Sequence, residues 1–83
     1  MEITPELSRL IELVAEAKMR LMVAAAARAT ADFGHNFEAF ERCTKAARAA
    51  FDAFIAGHDG KGPKELYVQL RACELGVDKL RVR

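Results

Sequence analysis

From Glu6 to Phe33 the chain runs without a single glycine or proline. Within that stretch the apolar residues Leu7, Leu10, Ile11, Val14, Ala17, Leu21, Ala24 and Ala25 recur at intervals of three and four. That spacing places them on one side of an α-helix, and only a helix carries a core stripe over such a length without interruption. Thr4-Pro5-Glu6 supplies the start: a hydroxyl for the N-cap, a proline suited to the first helical position and an acidic side chain in the first turn. Ile3, just ahead, is placed to staple onto that turn. The spacing predicts one long helix over residues 5–32, roughly 40 Å from end to end.

The halves of this helix differ. Glu6, Arg9, Glu12 and Glu16 give the first half a polar side. From Met19 to Ala31 the chain is apolar nearly all round apart from Arg20, Arg28 and Thr30. A helix that is apolar on every side needs cover on several sides. Met19, Met22, Val23, Ala26 and Ala27 are therefore the candidate residues for an interface with a second chain. The chain is 83 residues long, with 16 alanines that favour helix but fill little core volume. A domain of this size buries only about two thirds of its unfolded surface, and association often makes up the rest.

Two further helices follow. Gly34 and Asn36 are placed to end the first helix and cap the second, predicted over 37–56 with Phe37, Phe40, Cys43, Ala47, Ala50, Phe51, Phe54 and Ile55 on its core face. Its other face pairs Glu38 with Arg42, Glu41 with Lys45 and Arg48 with Asp52 at i, i+4. Gly57-His58-Asp59-Gly60-Lys61-Gly62-Pro63 is the one clear loop. A third helix is predicted over 63–75, with Leu66, Leu70 and Cys73 inward and Gly76 as its cap, followed by a tail over 77–83. The fold class read from this pattern is all-α: a small three-helix up-down-up bundle, completed by oligomerisation, most simply as a dimer.

The search for chemistry returns little. The glycine-rich loop lacks the spacing of a phosphate-binding loop and follows a helix, so it reads as an interhelical turn. His35, Cys43, His58 and Cys73 are scattered without the close pairs of a zinc site. No serine, histidine and carboxylate order or His-Glu-x-x-His motif suggests catalysis, and nothing points to a cofactor. The phenylalanines and methionines at helical spacing read as core, though methionines also suit adaptable contact surfaces.

The charge is uneven. Residues 1–41 carry four basic and seven acidic side chains, residues 42–83 nine and five, within a net charge of +1. Candidate anion or nucleic-acid contacts are Arg20 and Arg28, eight residues apart on the first helix, with Lys61, Lys64, Arg71, Lys79, Arg81 and Arg83 in the basic half. The loop between helices two and three is longer than that of a helix-turn-helix, and no base-reading signature is present. Leu21 to Ala27, the longest uncharged apolar run, is far short of the ~20 residues of a membrane span. No secretion signal is visible, two cysteines make no disulfide framework, and a reduced cytoplasmic setting is expected. These features favour a non-catalytic interaction module that binds another protein chain, self or heterologous, through apolar helix faces. A nucleic-acid-associated regulator using the basic half is the second reading, and a small-ligand or anion site at Arg20 and Arg28 the third.

Overall fold

The computed structural model describes residues 3–81, which form helices α1 (Pro5–Ala26), α2 (Phe33–Ala56) and α3 (Lys64–Arg81) and no strand. The all-α three-helix reading is correct. Thr4 caps α1 as its sequence suggests: its Oγ1 accepts from the Leu7 amide at 3.1 Å, with Pro5 at the first turn.

The helix ends differ from the sequence expectation at two junctions, each for a physical reason. Helix α1 stops at Ala26, not near residue 32. Beyond Ala24 it buries no further side chain, and the Thr30 hydroxyl donates to the Ala27 carbonyl at 2.7 Å and accepts from the Asp32 amide at 3.3 Å. A threonine hydroxyl that bonds its own backbone in this way offers the chain an alternative to the helix. Helix α2 then starts at Phe33, so Gly34 and Asn36 lie inside it and are not its punctuation. Phe33 packs on Phe37 with ring centroids 5.6 Å apart, and this apolar contact sets the start.

The second departure is at Gly76. It does not cap α3 but sits buried within it, and the helix runs on to Arg81. A Cβ built on Gly76 would lie 2.8 Å from Leu21 Cδ1 and 3.4 Å from Phe40 Cζ. The glycine therefore lets α3 approach α1 and α2 closely, and Val77 and Leu80 continue the core stripe beyond it. The described part of the expected tail, residues 77–81, is helical; Val82 and Arg83 lie outside the described residues.

The core is built from Leu7, Leu10, Val14, Ala17 and Ala24 of α1, Phe40, Ala47, Phe51 and Phe54 of α2, and Leu70, Cys73, Val77 and Leu80 of α3. Leu7 lies beside the start of α3 and Leu21 against Gly76 further along, so α1 and α3 run in the same direction. The bundle measures 43 × 20 × 16 Å. Cys43, expected on the core face, is only half-buried, and Ile11 and Ala25 are exposed. No described helix is long and apolar enough to cross a membrane.

Candidate functional site: an apolar groove between α1 and α3

Because α1 and α3 are parallel neighbours, the side of α1 next to its core stripe faces the start of α3 across an open furrow. Ile3, Leu7, Ile11, Ala15, Lys18, Met19 and Met22 line it from α1; Pro63, Lys64, Glu65, Leu66 and Gln69 line it from the other side. Its volume is about 880 Å³. Exposure here is large for apolar side chains: Ile11 is 37%, Met19 51% and Met22 72% exposed. Adjoining exposed apolar side chains of this kind make the groove the candidate binding face. Lys18, Lys64 and Glu65 are its charged members.

Of the five expected interface residues, Met19 and Met22 line the groove. Val23 is exposed but is not part of the groove lining. Ala26 is the exposed last residue of α1, and Ala27 is its half-buried C-cap. Sequence reasoning missed Ile3, Ile11, Ala15 and Lys18. Their signal was present: Ile3, Leu7, Ile11 and Ala15 recur every four residues, a second stripe beside the core stripe. The contribution of residues 63–69 had no sequence signal, because it depends on which helices become neighbours.

The expected basic contacts are divided among several places. Arg20 and Arg28 share no helical face, since α1 ends between them; Arg28 and Arg81 together line a separate cavity of about 670 Å³ with Phe33, Phe37 and Leu80. Lys61 is exposed in the loop and Lys64 opens α3, whereas Lys79 and Arg81 stand at its far end, roughly 25 Å away at 1.5 Å per residue. Arg71 is engaged by Glu74 at 3.0 Å. Arg81 pairs with Glu41 and lies 5.9 Å above the Phe37 ring. Arg83 lies outside the described residues.

Between α2 and α3 lies a second, polar furrow of about 480 Å³. Arg48 grips Glu74 there through two nitrogens, at 2.8 and 2.5 Å, and reaches Asp52 at 3.5 Å. The Arg48 and Arg71 hydrogen bonds hold the Glu74 carboxyl below the usual carboxylate range, Arg48 being the larger influence. The Thr44 hydroxyl, buried in the same furrow, has no hydrogen-bond partner. Acidic and basic side chains alternate through this furrow, so it fastens two helices and presents no charge of one sign.

The thiols are not poised to react. Burial raises the Cys43 thiol, reinforced by Glu16, to which its Sγ donates at 3.6 Å. Burial likewise raises Cys73. Both keep the protonated form, and thiolate is the reactive species. Among the described residues, no three His, Cys, Asp or Glu side chains group as a metal site. Compared with protein-family models, curated proteins and solved structures, the chain matches none.

Proposed function

We propose that this protein is a non-catalytic interaction module that binds a helix of another protein chain in the groove between α1 and α3. The observation that supports it is the groove itself: a row of exposed apolar residues from Ile3 to Met22, with Lys18 and Lys64 beside it. Helix-in-groove recognition uses such a face, with apolar anchors at helical spacing and methionines that adapt to the occupant. The free thiols Cys43 and Cys73 suit a reduced cytoplasmic setting.

Lysine cross-linking with mass spectrometry under native conditions tests the reading. Lys18 and Lys64 are expected to link to a protein chain, and Ile11→Glu to remove those links. If neither lysine links to any chain, this protein's own included, the reading falls. Salt-sensitive binding to duplex DNA that is lost on changing Lys79 and Arg81 to alanine would favour the nucleic-acid reading in its place.

A further inference from the structure

Area and spacing bear on what covers the groove face; the argument rests on the interaction reading above. Folded single-chain proteins of 9.2 kDa expose about 4,900 Å². This chain exposes 5658 Å², an excess of about 700 Å², close to the roughly 800 Å² that each partner buries in a standard interface. The surplus is thus of the size that one equal partner removes.

The spacing on α1 indicates which partner. Ile11, Ala15 and Met19 of the groove lining follow one another at intervals of four, with Met22 three residues beyond at one end and Ser8, half-buried and outside the lining, three residues beyond at the other. This pattern reads the same from either end, with the small side chain of Ala15 at its centre. A two-fold axis at Ala15 lays a second α1 antiparallel on the first. Ile11 of each copy then stands level with Met19 of the other, and Ser8 level with Met22, so a small side chain meets a long one. Such an isologous contact uses the same patch on both copies and closes on itself.

Charge is compatible with the antiparallel arrangement. A parallel pairing in the same register sets Lys18 beside Lys18. Under the two-fold the outcome differs. Gly76 lies against Leu21, so Glu65 stands at the height of Leu10 on its own α1. The axis carries it to the height of Arg20 in the second copy, about 3 Å along the helix from that copy's Lys18. Lys64, one residue earlier, is carried to the height of Leu21, about 4.5 Å along the helix from the same Lys18, so the copies exchange one opposite-charge and one like-charge approach.

We infer that the protein forms a two-fold antiparallel dimer in which α1 packs on α1 across Ala15, each copy covering the other's groove face. Helix axes in such contacts lie about 8–10 Å apart, which sets facing Cα atoms at roughly 4–5 Å. A disulfide spans such a gap. The test is sedimentation and light scattering from low-micromolar to near-millimolar protein, with two variants. The wild type is expected at twice the chain mass. Ala15→Glu, at an exposed site, is expected to be monomeric with unchanged helical circular dichroism. In a Cys43→Ser background, Ala15→Cys is expected to form a disulfide-linked dimer on oxidation, and Arg9→Cys is not. A wild type that stays monomeric throughout, a dimer that survives Ala15→Glu, or a failure of position 15 to cross-link overturns the inference. A monomer whose Lys18 and Lys64 still cross-link to a different protein overturns only the self-pairing and leaves the groove as a docking site.

Discussion

Arg48 of α2 holds Glu74 of α3 in a two-pronged grip, with Nε at 2.8 Å and a terminal nitrogen at 2.5 Å from the two carboxylate oxygens. Arg48 also lies 6.0 Å from the Phe51 ring centroid and 5.8 Å from that of Tyr67. Its side chain is thus held by apolar faces as well as by charge. Both charged groups are mostly shielded from water, so the pair is worth more than an exposed ion pair. Glu74→Ala leaves the guanidinium half-buried with Asp52 alone, and is expected to lower stability by about 1–3 kcal/mol. Urea unfolding measures it. A double-mutant cycle with Arg48→Ala should show coupling, because the two lose the same contact.

The same pair sets an acid sensitivity. The native Glu74 carboxyl titrates below its unfolded value, chiefly because Arg48 bonds the ionised form. Its contribution is fully present above the unfolded carboxylate range. It is lost as the pH falls through the depressed native value, where protonation releases the guanidinium. In thermal melts between neutral and strongly acid pH, Glu74→Gln should be less stable than wild type at neutral pH. The gap should close as acid protonates Glu74. A constant gap would show that the ion pair contributes nothing to the pH dependence.

Gly76 is expected to tolerate one added methyl and reject a larger side chain. Replacing a helical glycine by alanine gains about 1 kcal/mol in propensity. Against this, the new Cβ meets Leu21 Cδ1 at 2.8 Å, the mobile end of a half-buried side chain. The two effects roughly cancel, and Gly76→Ala should lie close to wild type. Gly76→Leu must also displace Phe40, which is fully buried, and should cost about 1–3 kcal/mol by overpacking. Chemical denaturation of the two variants side by side decides it.

The three helices, the Thr4 cap and the phenylalanine core were legible because each rests on local spacing. Sequence and structure part at the punctuation. Gly34 and Gly76 look alike in sequence, as glycines near the end of an apolar pattern, and neither ends a helix. At Gly76 the reason is a neighbour distant in sequence: α1 and α2 come so close that nothing larger than a methyl group fits, and burial of Val77 and Leu80 carries the helix onward. Long-range approach is invisible in a local window. The alanine run after Ala24 has high helix propensity, yet α1 stops because no core remains there for it to cover. The groove was half legible. Met19 and Met22 stand out in the sequence as apolar excess, but Ile11, next to Leu10 in the same helical pattern, reads as core. Only the position of α3 shows that one is covered and the other open.

That division between Leu10 and Ile11 extends to a test of where the groove face begins. Leu10 is almost wholly buried and Met22 is largely exposed, though both are long apolar side chains on one helix. Leu10→Ala removes buried volume and is expected to cost about 2–5 kcal/mol. Met22→Lys removes no core contact, and lysine is as good a helix former as methionine, so monomer stability should change by no more than about 0.5 kcal/mol. Its effect should be on association, since a charge on this apolar face must be desolvated when a partner covers it. Denaturation at low protein concentration reads the first quantity, and the concentration dependence of the melting temperature reads the second. A Met22→Lys chain that unfolds as readily as Leu10→Ala would place Met22 in the core and remove the groove as a binding face.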